Sequence, residues 1–405
     1  MDDITVFTAA LNLSSPWKIS ELEFRECKGD KELHITIGHE KRARFVHEKE
    51  ECSVYDHQFR TWRHLDFFEH VCFLHAKVPR VKTGDGSVRL VQVPWAERGS
   101  SFTLLFEGKV RELVRFGMSA SGAGASLRIS GKQVFGVIRR SVSHALATQP
   151  LEDVEEASLD EVSSRKGHKY LTILTDRKRK KVVGIGEGRD AAAVGEALID
   201  MEVRGAGREK VKGLTMDMSR AYISAADIYF ALAAIIFDRF HIAKKMNEAV
   251  DQIRREEQAR FKELKNSRYL WLKNSGRLGK RDREKVGRLS ETYPNIGEAY
   301  RLKEMLKSVL DQAYHDHRLK WLNAWVKEAW ASGLEPVRKF VNMLHRHWYG
   351  VKTFFKYLAT NAYAERVNLK IQEIKRIAKG YRNINNFKLM IYFHLGGLDL
   401  DKPTK

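Results

Sequence analysis

A chain of 405 residues, 43% hydrophobic and 10% aromatic, can build two or three domains with real cores, which excludes a mainly disordered protein. Its 72 Lys and Arg exceed 52 Asp and Glu to leave a net charge of +20, so the expected partner is a polyanion, with nucleic acid first among them. No apolar run approaches the roughly 20 residues that cross a bilayer, the N-terminus lacks the basic-then-apolar order of a signal peptide, and the three cysteines, Cys27, Cys52 and Cys72, form no CxxC pair. A cytoplasmic, nucleoid-associated protein with reduced thiols and no membrane partner is expected.

Residues 15–95 alternate short β-rich runs, such as KELHITIG and SVRLVQVP, with Gly- and Pro-marked turns, and predict a small β-rich module. From 101 the apolar spacing turns helical in SFTLLFEGKVRELVRF. A turn at Arg128-Ile129-Ser130 then precedes a helix beginning near Lys132, the pattern of a helix-turn-helix. On that reading Lys132, Gln133, Arg139 and Arg140 reach DNA; on the other, this is an ordinary helix pair with a basic face. Three apolar strands follow, LDEV, YLTILTD and KKVVGIG, then a helix around Asp190–Glu202, a strand ending at Asp217, a helix from Ser219, and an apolar run, ALAAIIFD, ending at Asp238. Three strands, helix, strand, helix, strand is the ribonuclease-H-like order. Gly184, Gly186 and Gly188 lack the full dinucleotide-binding spacing and are assigned to a turn.

Beyond His241 the pattern is almost wholly helical to about residue 349, an all-α insertion whose tryptophans read as core, since Trp321 and Trp325 lie four apart on one face. The expected fold is therefore multidomain α/β plus α, a mixed sheet with an all-α insertion, preceded by a β-rich module and a helix-turn-helix. Its parts are residues 1–98, the β-rich module; 99–150, the helix-turn-helix; 151–247, the first part of a catalytic core; 248–349, the insertion; 350–397, the last core helix; and 398–405, a tail.

Two-metal phosphoryl transfer needs acidic oxygens around ions about 4 Å apart, and carboxylates suit such hard cations. Asp160 in the first of these strands and Asp217 at the end of the fourth fall on neighbouring central strands if the order holds. Either one alone would read as a solvated strand end or a helix cap. Glu365 lies on a helix whose apolar stripe is Ala364, Val367, Ile371, Ile374 and Ala378, with Asn361 as its N-cap. Along another face run Glu365, Asn368, Gln372, Lys375 and Lys379, a side that either meets metal and DNA backbone or is simply solvated. Asp238 and His241 close the fifth strand as supporting residues or as a cap with a half-buried histidine.

These segments resemble the transposases of the ISL-three family of bacterial insertion sequences. The resemblance rests on VYDHQFRTWRHLDFFEH with LHAKVPRV, LDEVSSRKGHKYLTILTD with GEGRD, LTMDMSRAYI with FDRFHIAKKMNEAVD, and TNAYAERVNLKIQEIKRIAKGYRNINNF. It implies a DDE triad, here Asp160, Asp217 and Glu365, holding two Mg²⁺ or Mn²⁺ ions, supported by Asp238 and His241. It also implies an N-terminal region that reads the terminal inverted repeats of double-stranded DNA, and action as a dimer or higher oligomer. Lys132, Gln133, Arg139, Arg140, Asn368, Lys375, Lys379 and Arg382 are the expected DNA contacts. Two departures stand out. Where the family has paired cysteines this chain has His47 and Cys52 and then Lys82–Gly86, which give two donors at most for tetrahedral zinc unless Cys72 or His75 joins them, so no zinc is expected. The glutamate is followed by Arg366 rather than glycine. The alternative function is a catalytically impaired DNA-binding regulator derived from a transposase.

Overall fold

The computed structural model describes residues 3–27, 29–47, 50–165, 167, 169–311, 317–357 and 362–401. It contains two compact units, Met1–Ala145 with Asp399–Lys405, and Leu146–Leu398.

In the first unit α1 (Asp3–Ala10) leads into β1 (Trp17–Cys27) and β2 (Asp30–His39), then the short pair β3 (Phe45–His47) and β4 (Glu50–Cys52), then β5 (Val54–Phe67), β6 (His70–Lys82) and β7 (Val88–Leu90). The main sheet runs β1-β2-β6-β5 with β7 added to β6, and β2 lies parallel to β6. Alternation sets its core: Leu33, Ile35 and Ile37 on β2 and Cys72, Leu74, Ala76 and Val78 on β6 are buried, because successive side chains point to opposite faces. Burial pushes the Cys72 thiol up to about 12. His75 Nε2 lies 2.7 Å from His34 Nδ1, and its Nδ1 lies 2.9 Å from Thr61 Oγ1. The His47 side chain falls outside the described residues.

Three helices complete this unit: α2 (Leu104–Arg115), α3 (Ala120–Ser126) and α4 (Gly131–Thr148). Thr103 and Ser119 cap the first two, accepting from Phe106 N at 3.3 Å and Gly122 N at 3.0 Å. Before α4 a capping box forms, with Ser130 N donating to Gln133 Oε1 at 2.9 Å and Gln133 N to Ser130 Oγ at 3.2 Å. Gly124 must be glycine, since a Cβ there would sit 2.7 Å from the carbonyl oxygen of Ile129 in the turn. Lys132 and Arg139 are exposed on α4, as is Gln133, whose carbonyl is taken by the cap. Arg140, expected at DNA, has a partner within the protein. Its guanidinium pairs with Glu107 of α2, a carboxylate 2% exposed that also accepts from Ser100 Oγ at 2.6 Å. A buried carboxylate that loses its nearest cation is destabilised, so Arg140→Ala is expected to cost on the order of 2 kcal/mol in a denaturant melt.

The second unit opens with β8 (Glu156–Arg165), β9 (Lys169–Asp176) and β10 (Lys181–Glu187), followed by α5 (Ala191–Val203), β11 (Gly213–Met216), α6 (Arg220–Tyr229) and β12 (Ala234–Phe237). Its sheet runs β10-β9-β8-β11-β12, antiparallel through the first three strands and parallel from β8 to β12. The near-continuous apolar runs in β9 and β10 reflect burial on both faces. Gly184 and Gly186 lie inside β10, not in a turn as expected, and only Gly188 turns, with φ 117. A Cβ on either strand glycine would fall 1.8 Å from a carbonyl oxygen of α5, Ala197 O or Ala193 O, so the helix rests directly on the strand. Gly186→Val is expected to destabilise this unit by about 3 kcal/mol, since overpacking forces the helix off the sheet; loss of a cooperative thermal transition in the variant would agree.

The helical remainder comprises α7 (Arg239–Gln258), α8 (Arg268–Leu272), α9 (Lys280–Thr292), α10 (Pro294–Asp311), α11 (Arg318–Ala331), α12 (Glu335–Arg346), α13 (Trp348–Tyr357), α14 (Ala362–Ile377) and α15 (Ile384–Leu395). Trp271 and Trp325 are core residues, their indole nitrogens donating to Ser267 Oγ at 3.1 Å and Leu302 O at 2.8 Å. Asn361, expected to cap α14, lies outside the described residues. The stripe Ala364, Val367, Ile371 and Ile374 is buried.

Candidate active site

Strand register builds the site. Thr215 of β11 pairs with Ser158 of β8, and Met216 pairs with Phe237 of β12. Continued past these last pairs, the same register sets Asp217 level with Asp160 on one side and Asp238 on the other, on strands about 4.8 Å apart, and the charges of Asp217 and Asp238 do bear on Asp160. Asp238 N donates to Met216 O at 3.2 Å, which extends the ladder one residue past β12.

The three differ in setting. Asp160 Oδ1 accepts from Glu161 N at 2.8 Å and its Oδ2 from Asn368 Nδ2 at 2.8 Å. Burial pushes the Asp160 carboxyl up to about 7; the negative charges of Asp217, Asp238 and Glu161 add to that push, and the Glu161 amide opposes it. Asp217 is half-buried and accepts from Ser219 N at 2.9 Å. Asp238, only 3% exposed, caps α7 through Phe240 N at 3.1 Å. Its carboxyl is also raised, by burial, against the pull of His241, Arg239 and Arg177. Asp238 thus acts as the cap that sequence allowed, and it also belongs to the carboxylate row.

Glu365 is placed differently. It is exposed in the first turn of α14 and lines a cleft that it shares with Asp238. The side chain that α14 delivers to Asp160 is Asn368, one turn further on. Lys375, two turns past that, donates to Ser163 O on β8 at 2.9 Å. Asn368 and Lys375, both expected at DNA, here tie α14 to β8. Lys379, with φ 53, lies past the end of α14, and Arg382 is exposed. Sequence reasoning placed Asn368 on the face of Glu365 without naming Asp160 as its partner; its spacing of three from Glu365 on one helical face was the available signal.

The donor set suits a hard divalent cation. It is composed of carboxylates, one of them carrying a proton affinity that a cation's charge would relieve, and beside them Asn368 Oδ1 is buried with no hydrogen-bond partner among the described residues. Among the described residues no three His, Cys, Asp or Glu side chains are already drawn around one point, so the carboxylates lie along the sheet edge and cleft. No described helix is long and apolar enough to cross a membrane.

Comparison with known proteins agrees with this layout. A family model described as a transposase, the DDE type of the ISL-three family, matches residues 158–391. The chain is 26% identical over 350 residues to the transposase for insertion sequence element IS1001 of Bordetella parapertussis, covering 84% of this chain and 85% of that one. It is 24% identical to the transposase for insertion sequence element IS1557 of Mycobacterium tuberculosis, over 95% of this chain and 93% of that one. The family match covers more than half the chain and defines a DDE transposase. The chain belongs to the ISL-three family of insertion-sequence transposases.

The raised Asp160 carboxyl has a thermodynamic sign. A carboxyl with a folded pKa above its unfolded value costs stability once pH rises past about 4, and the cost grows until the folded group itself ionises, near pH 7. In EDTA, Asp160→Asn is therefore expected to melt above wild type at pH 8, by roughly 2–4 °C for each kcal/mol of that cost. The gap should close toward pH 4; an equal gap at both pH values would contradict the assignment.

Proposed function

We propose that the second unit is a ribonuclease-H-like core in which Asp160, Asp217 and Glu365 hold two Mg²⁺ or Mn²⁺ ions. The chain would bind the terminal inverted repeats of its insertion sequence and catalyse DNA strand cleavage and strand transfer. The observation that carries this reading is the level placement of Asp160 and Asp217 on adjacent parallel strands, with Asp160 starved of compensating positive charge.

Bound cations would supply the charge that activates the attacking hydroxyl and stabilises the leaving oxygen. The residues do the rest. Asn368 fixes the rotamer of Asp160, Lys375 anchors α14 so that Glu365 stays on the cleft rim, and Asp238 with His241 supports the row from β12. Water is the first nucleophile and a freed 3′-hydroxyl the second, each attacking phosphorus in line while the oxygen on the far side departs. Lys379 and Arg382 are suited to backbone phosphates beyond α14, and Lys132, Gln133 and Arg139 on α4 to reading the ends. Two ends must be brought together, so the active form is at least a dimer.

The test is cleavage and joining of a labelled duplex carrying the element's own terminal repeat. Asp160→Asn, Asp217→Asn and Glu365→Gln are each expected to lower turnover by roughly 10³-fold or more with end affinity unchanged. Asn368→Ala, which only frees Asp160 to reorient, is expected to lower it by about 10- to 100-fold. Tight, specific binding with no cleavage by wild type in either metal would instead support the DNA-binding regulator.

A further inference from the structure

The helical segment between Asp238 and Glu365 takes no part in the chemistry above, yet it walls the cleft on whose edge both residues sit. The cleft has a volume of about 690 Å³ and is bounded by α7, α8 with the turn that follows it, α10 and the first turn of α14. That is the size that admits a drug-sized ligand, about a nucleotide or two, and not a duplex.

Its walls are firm and its charge is uneven. Lys303, only 4% exposed, donates to Trp271 O at 2.9 Å and Lys273 O at 2.8 Å, and so fixes the end of α8. Arg239 and Lys307 are both engaged with Asp311, at 3.5 and 2.5 Å. Lys244, Lys273 and Arg277 are different: all three are exposed, line the cleft, and pair with no carboxylate among the described residues. Between these cations two aromatic rings stand in the open, Tyr269 at 70% and Phe240 at 55% exposure. Exposed rings interleaved with unpaired cations are the chemistry of single-strand recognition, in which bases stack on rings and phosphates meet ammonium and guanidinium groups. Bases within a duplex offer no free face to such rings.

We propose that this cleft seats a short unpaired stretch of DNA strand adjoining the scissile phosphate. Lys244, Lys273 and Arg277 contact its phosphates, and Tyr269 and Phe240 stack on its bases. The helical insertion thereby holds the end of the element in a frayed form beside the carboxylates. This inference rests on the catalytic reading of Asp160, Asp217 and Glu365 for its location, and on the cleft itself for its chemistry.

The experiment uses the full chain in EDTA, so that binding is read without cleavage, with a fluorescein-labelled oligo-dT of about 12 nucleotides, sized to the single-strand sites of such proteins, and a mixed-sequence duplex for comparison. Tyr269→Ala is expected to weaken oligo-dT binding by roughly 5- to 100-fold, with Tyr269→Phe close to wild type. Lys273→Gln with Arg277→Gln should flatten the salt dependence of oligo-dT binding by about 0.7 in log–log slope for each phosphate no longer neutralised. Duplex affinity should hold in all of these. Ultraviolet cross-linking of wild type to oligo-dT carrying 5-iodouracil should mark Tyr269 or Phe240, a result independent of how any variant folds. Cross-links confined to other segments, or equal loss of duplex and oligo-dT binding in Tyr269→Ala, would overturn the proposal. Failure of the catalytic reading would appear separately, as cleavage that survives Asp160→Asn.

Discussion

Like charges held level by strand register are the constraint around which the second unit is arranged. Backbone pairing of β11 with β8 on one side and β12 on the other leaves Asp160, Asp217 and Asp238 no choice but adjacency. Such a row is unfavourable in a half-buried site unless something offsets it, and the surroundings do so only in part. Amide hydrogen bonds serve each carboxylate, and His241, Arg239 and Arg177 bear on Asp238, while Asp160 is left with its carboxyl raised to about 7. Natural chains tolerate a conflict of this kind where function requires it, because the missing charge arrives with a cation or substrate.

The rest of the unit holds that row in place. α5 rests on β10 with only glycine between, at Gly184 and Gly186, which fixes one flank of the sheet. On the other side, Asn368 and Lys375 tie α14 to β8 at two points, 2.8 and 2.9 Å, so the helix bearing Glu365 is registered against the strand bearing Asp160. Rigid elements with short polar ties are the arrangement from which a reactive geometry can be kept within fractions of an ångström.

Much of this could be read in the sequence. The strands from LDEV to ALAAIIFD, the order in which they occur and the helix carrying Glu365 follow from apolar periodicity, because burial on both faces makes β9 and β10 nearly continuous apolar runs. The turn at Arg128 and a helix beginning near Lys132 were equally legible; the structure starts that helix at Gly131, behind a capping box of Ser130 and Gln133. What escaped were choices made by partners distant in sequence. Arg140 pairs with Glu107; Asn368 and Lys375 bond to β8; Gly184 and Gly186 serve helix packing within a strand. Periodicity says which face of an element is buried, and it does not say which side chain waits on the other side. The position of Asp238 in the carboxylate row needed the register of β11 against β12, which no local pattern encodes.

Whether Asp160, Asp217 and Glu365 close on the same divalent ions is read by replacing those ions with Fe²⁺. In the presence of ascorbate and peroxide, bound iron cuts the nearest backbone, and mass spectrometry of the fragments locates it. Cuts are expected in three places, around Asp160, around Asp217 and near the start of α14, all suppressed by excess Mg²⁺ and all lost together in Asp160→Asn. Cuts that persist unchanged in Asp160→Asn, or that fall only among the histidines of the first unit, would contradict a shared metal site.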